Sequence, residues 1–125
     1  MANTVYRSVK LVVQNSTNGT IVVQGVATLT GDWAPRRSPY QDQVIPEQSA
    51  VEWMSQSTQL GVGSAAYVRL ACSGGYVTIS WNLPWTGRFT ADVTRLGKSK
   101  PPLVIDDAQP DNVVIVVAIE DAAGA

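Results

Sequence analysis

Gly74-Gly75-Tyr76-Val77-Thr78-Ile79-Ser80-Trp81-Asn82, residues 74–82, decides the fold. Val77, Ile79 and Trp81 alternate with Tyr76, Thr78 and Ser80, so one side is apolar and the other polar or amphipathic. A period of two belongs to a strand lying over a core. The Gly-Gly pair ahead of it is a hairpin signal of the kind that primed turns prefer. It joins this strand to another over Ala65 to Ser73.

The same punctuation runs outward in both directions. Phe89 to Leu96 alternates Phe89, Ala91 and Val93 against Thr90, Asp92 and Thr94. Ser49 to Ser57 places Val51 and Trp53 on one face and Glu52 and Met54 on the other. Val5 to Gln14 is strand-like and ends in Asn15-Ser16-Thr17-Asn18-Gly19, a strong turn signal. Thr20 to Thr30 then closes an expected first hairpin. Asn112 to Ile119 is nearly unbroken in β-branched residues, which suits a central strand. Two prolines keep Gly31 to Gln43 irregular, and Val44-Ile45-Pro46 reads as a short edge piece. Lys98 to Pro102 is a connector, and Glu120 to Ala125 a frayed tail.

No segment carries a 3.6-residue amphipathic period. About seven to nine short strands separated by turn signals predict an all-β, single-domain antiparallel β-sandwich over residues 1–125. The 125 residues suffice for one domain, which buries roughly 65–70% of its unfolded surface without a disulfide or metal. Hydrophobic residues at 45% and charged residues at 15% exclude a disordered chain.

Charge and residue types narrow the chemistry. The net charge is −1 and the basic residues are scattered, so no stripe exists for nucleic acid. There is no histidine, which removes the commonest general base and metal ligand. Cys72 is the only cysteine, and its apolar surroundings suit a small buried hydrophobe. Asp106, Asp107 and Asp111 gather near a proline turn without a facing carboxylate across a cleft or a calcium-loop spacing. Gly61-Val62-Gly63-Ser64 lacks the lysine and strand-to-helix context of a phosphate loop. The expectation is a protein that is not an enzyme and carries no cofactor or metal.

The N-terminus has no basic start leading into an apolar run, and no apolar stretch reaches the roughly 20 residues of a spanning helix. If the protein meets a membrane, it arrives from water. Asn15 and Asn18 both stand in Asn-X-Ser/Thr sequences, read here as turn residues.

The aromatics carry the functional reading. Trp81 shares a face with Val77 and Ile79, and Trp53 with Val51, so both belong to the core. Trp33 and Trp85 fall in expected loops flanked by Gly and Pro. Tyr40 shares a loop with Trp33, and Arg36, Arg37 and Arg88 lie near in sequence. An indole beside a cation suits a lipid headgroup interface, with the ring at the apolar boundary and the cation on phosphate. The competing reading is that these tryptophans merely cap the ends of the sandwich.

The stretch Gly75-Tyr76-Val77-Thr78-Ile79-Ser80-Trp81-Asn82-Leu83-Pro84-Trp85-Thr86-Gly87-Arg88 resembles the aegerolysin signature, in which an aromatic strand enters a Pro-Trp or Pro-Phe turn followed by small residues and a cation. Val9 to Thr30, with Gln14-Asn15 and then Gly31-Asp32-Trp33, and the loop Gly61 to Ser64 are similar too. The resemblance extends to the small components of bacterial binary insecticidal toxins. It implies a β-sandwich that binds membrane lipid of the sphingolipid type and acts with a larger pore-forming partner protein. Release without a signal peptide and action at a target-cell membrane are implied as well. By motif, Trp33 and Trp85 become lipid-contacting aromatics and Arg88 the headgroup cation, with Tyr40 beside Trp33. The chain departs from the family at Tyr6 and Ser8, where a tryptophan is frequent, and in Leu60 to Ser64, which lacks the acidic residue. A lectin-like module stacking the same aromatics on sugars is the alternative.

Overall fold

The computed structural model describes residues 4–72, 75–95 and 101–120. The chain forms ten strands: β1 Arg7–Ser16, β2 Ile21–Thr30, β3 Asp32–Trp33, β4 Val44–Ile45, β5 Ser49–Ser57, β6 Ser64–Cys72, β7 Gly75–Leu83, β8 Thr90–Arg95, β9 Leu103–Asp106 and β10 Asn112–Glu120. They build two five-stranded sheets, ordered β3-β5-β1-β10-β9 and β4-β2-β6-β7-β8. The expected sandwich is the observed one.

The core lies between the sheets and follows the period of two. Val9, Leu11 and Val13 of β1 and Val113, Ile115, Val117 and Ile119 of β10 face Val68, Leu70, Val77, Ile79 and Trp81. Trp53 and Trp81 are buried in it, as their strand faces predict. Cys72 is half-buried, and burial pushes its thiol up from the ordinary range while Arg95 pulls it back.

Three features differ from the sequence expectation. First, β1 and β2 do not form a hairpin: they lie in opposite sheets, and the 17–20 turn carries the chain between them. Asn15 shows why the turn is so firm. Its Nδ2 donates to the carbonyls of Gly19, Ile45 and Pro46 at 2.9, 3.0 and 3.0 Å, while Oδ1 accepts from the backbone and hydroxyl of Thr17. One buried amide thereby ties the β1–β2 turn to the β4–β5 turn. Second, β10 runs parallel to β1, in register from Ser8↔Asn112 to Ser16↔Glu120, so the sandwich is not wholly antiparallel. A parallel pair needs a long crossover, and the eight intervening strands supply it. β1 is therefore the middle strand of its sheet, and β10 its neighbour. Third, Leu103–Asp106 is an additional edge strand on β10.

The β6–β7 hairpin is present, pairing Cys72 with Gly75, while Ser73 and Gly74 of its turn lie outside the described residues. So do Leu96, most of the Lys98–Pro102 connector and the tail beyond Glu120. The sandwich has two ends. The loop end gathers the start of β1, the β2–β3 junction, the 58–63 loop, the 84–89 turn and the 107–111 turn. The opposite end holds the 17–20 and 46–48 turns.

Asn15→Ala removes the donor for three carbonyls and the acceptor for Thr17, all with little access to water. The expected loss is about 2–4 kcal/mol, read as a lower urea midpoint with an unchanged m-value.

Candidate functional site

The loop end is fixed by backbone packed directly on backbone. Gly31 has φ +79, and a Cβ there would stand 2.5 Å from the Gln56 carbonyl oxygen and 3.0 Å from that of Gly63. A Cβ on Gly63 would in turn overlap the Leu83 carbonyl oxygen and come within 2.8 Å of Pro84 Cα. Only glycine lets three connections, from β2, β5 and β7, stack this closely. The 84–89 turn consequently leaves β7 along one path.

Trp85 stands on that turn, half-buried. The Arg7 guanidinium lies over its ring at 4.2 Å from the centroid, and Tyr6 meets it edge-on at 6.0 Å and 68°. Arg7 also donates from Nη2 to the Trp85 carbonyl at 2.9 Å and from Nη1 to the Tyr6 carbonyl at 2.8 Å. Its Nη1 sits 3.4 Å from Asp111 Oδ1. One arginine therefore joins the first strand, the 84–89 turn and the 107–111 turn. The stacked cation also covers one face of the indole, which leaves less of the ring for a flat ligand.

Arg88 is exposed on the same turn, and the guanidinium that stacks on Trp85 is that of Arg7, which the sequence did not single out. Trp33 is corrected: it is not in a loop but in β3, paired with Ser55 of β5. Its ring turns inward and meets Trp81 edge-on at 6.0 Å and 70°, packed against the core. Trp81 Nε1 donates to Ser55 Oγ at 2.9 Å, as does Ser64 Oγ at 2.7 Å, so a buried hydroxyl fixes the indole that Trp33 leans on. Tyr40 is 62% exposed, but on the flank. The 34–43 segment crosses from the β5 edge to the β2 edge, where Asp42 and Gln43 bond Val23. Val23 is level with Leu70 and Val77, roughly 20 Å along β7 from its end at Leu83. The structure brings Trp85 and Arg88 onto one turn and leaves Trp33 and Tyr40 elsewhere.

Two residues at the loop end escaped the sequence reading. Leu29 is 69% exposed and Leu60 is 71% exposed, more than any other described large hydrophobic side chain. Leu29 stands at an irregularity in β2, where Thr28 and Thr30 pair with the consecutive residues Ala66 and Ala65 of β6. Leu60 rides the 58–63 loop beside the buried Gly63. Neither is a residue that the motifs single out, and an isolated leucine at a strand end or in a loop carries no signal until the turns are placed side by side. Val5 adds a further exposed apolar group at the same end.

A two-sheet β-sandwich with rigid, apolar-tipped loops at one end is the class that the fold and site define. Among solved structures, the chain is similar to the lipid binding protein Nakanori in its crystal structure. The TM-score is 0.72 at 13% identity, over 92% of this chain and 71% of that one. At that identity the likeness is one of fold. No family model matches the chain, and no curated protein matches it.

Gly63→Ala forces the 84–89 turn away from the 58–63 loop. It is expected to lower stability by about 3 kcal/mol, measured by urea unfolding.

Proposed function

We propose that the protein binds membrane lipid through its loop end, as the lipid-recognising member of a two-protein pore-forming cytolysin or toxin, with no catalytic step of its own. The observation that carries the reading is the convergence there of Leu29, Leu60 and half-exposed Trp85 with the exposed cation Arg88. Apolar side chains held out into water on a stiff frame gain by entering the acyl boundary. Burying one leucine contributes about 1.5–3 kcal/mol. Trp85 suits the interface itself, since its ring is amphipathic. Arg88 is exposed and has no ion pair among the described residues, so it can meet phosphate while Arg7 remains in its structural contacts.

Two further lines support the reading. The fold is shared with Nakanori, described as a lipid binding protein. The Gly75 to Arg88 stretch resembles aegerolysins, which bind sphingolipid-type membranes and work with a larger pore-forming partner. Sphingolipid choice and the partner are carried by that resemblance. Trp33 and Tyr40, first expected beside Trp85, are not part of the proposed contact.

Flotation with vesicles of sphingomyelin and cholesterol, alongside a panel of other sphingolipids, tests it. Leu60→Asp leaves a solvent-facing position polar and is expected to weaken vesicle binding at least about tenfold, with an unchanged unfolding midpoint. Trp85→Ala is expected to weaken binding as well. Wild-type protein that ignores every vesicle, or Leu60→Asp that binds as wild type does, rejects the proposal.

A further inference from the structure

The outer face of the β1 sheet carries a solvent-open groove of about 410 Å³ next to the 107–111 turn. One cross-strand row forms its floor. Met54 of β5 pairs with Lys10 of β1, Lys10 with Val114 of β10, and Val114 with Asp106 of β9. A base and an acid therefore flank a half-buried valine, with their Cα atoms two strands or roughly 10 Å apart. They do not pair with each other. Lys10 Nζ lies 3.3 Å from Glu52 Oε1, a contact that leaves an ammonium two further donors. Asp106 Oδ1 accepts the Ala108 amide at 3.1 Å, and among the described residues no cation neutralises its carboxylate.

The next row adds a fixed donor. Ser8 Oγ donates to Asn112 Oδ1 at 2.7 Å, so the Asn112 Nδ2 amide is left to give hydrogen bonds elsewhere. Asn112 is itself held by its backbone amide on the Gln109 carbonyl at 3.0 Å. The 107–111 turn closes one side of the groove with Ala108 and Gln109. On the other side, Val12, Val116 and Val104 form an apolar row, with Val104 exposed. The face thus offers, among the described residues, a carboxylate without a cation on β9, an ammonium on β1, an amide donor on β10 toward the 107–111 turn, and methyl groups beneath.

We propose that this groove binds a small zwitterion, laid across Val114 with its ammonium on Asp106 and its oxyanion on Lys10 and Asn112 Nδ2. Charge accounts for the requirement of both ends. Lys10 is already partnered by Glu52, so an anion alone gains little there and faces Asp106 besides. A cation alone satisfies Asp106 and leaves the donors of Lys10 and Asn112 to water. Only a molecule with both charges uses both walls. A free amino-phosphate and a lipid headgroup share this chemistry. The site does not depend on the lipid-binding role of the loop end, since none of its residues belongs to the Leu29, Leu60, Trp85 and Arg88 set.

The test is a backbone NMR titration of the full chain with O-phosphoethanolamine, with ethanolamine and inorganic phosphate as single-charge controls. Saturable shifts are expected at the Val114 and Asn112 amides, with each control at least about tenfold weaker. Asp106→Asn is expected to abolish the response and Lys10→Gln to weaken it. A second arm uses phosphatidylglycerol nanodiscs with and without phosphatidylethanolamine. Groove shifts only in the second arm assign the zwitterion to a headgroup, and shifts in the first arm show that the free molecule suffices. Silence of the groove amides in both arms overturns the proposal, as do controls that match the zwitterion or an Asp106→Asn variant that responds like wild type. Vesicle flotation of Asp106→Asn keeps the two proposals separate, because it is expected to match wild type if the loop end alone drives membrane contact.

Discussion

Backbone touches backbone at the loop end, and the rest of the proposed site depends on it. With glycine at 31 and 63, the β2–β3 junction, the 58–63 loop and the 84–89 turn lie against each other with no side chain between them. Such a stack has little room to move, so at the proposed contact Leu60 and Trp85 are presented with little backbone left to order. Arg7 adds a polar bond to the same assembly, through its contacts with Trp85, Tyr6 and Asp111. Exposed apolar side chains on a loose loop would fold back onto the protein. On this frame they stay in water, where the proposed membrane contact would meet them.

The opposite end is secured by different chemistry. There, Asn15 gathers carbonyls from two turns, and Gln48 Nε2 reaches the Thr17 carbonyl at 2.9 Å. The 17–20 and 46–48 turns there satisfy their polar groups internally, with Val44 and Tyr76 the exposed apolar groups beside them, whereas the loop end carries exposed leucines. The core between them transmits rigidity because its side chains interdigitate at solid-like density. The two ends are thus built differently, and the proposed apolar contact uses the end where the most exposed leucines stand.

Much of the fold was legible because alternation is a local property. Val77, Ile79 and Trp81 announced their face, and so did Val51 with Trp53 and Ala91 with Val93. Sheet membership was not legible, since Asn15 to Gly19 signals a turn whether the next strand stays in the sheet or crosses to the other. The unbroken run of β10 suited burial on both faces but carried no direction, so its parallel pairing with β1 was hidden. β9 was missed because Leu103-Val104-Ile105 is short and follows prolines. Within the site, Trp85 and Arg88 were readable as neighbours on one turn. Arg7 stands far away in sequence and reaches Trp85 only through the sandwich. Trp33 misled for a related reason: its Gly and Pro neighbours mark an irregular segment, yet two residues of pairing with β5 suffice to turn the indole inward.

Hydrogen exchange of the full chain on sphingolipid-containing vesicles tests the central claim most directly. Added protection confined to the 29–31, 58–63 and 84–89 segments is the predicted result, with the 17–20 turn exchanging as it does in solution. Protection centred on the 34–43 flank or the 17–20 turn, with the loop end unchanged, would contradict it.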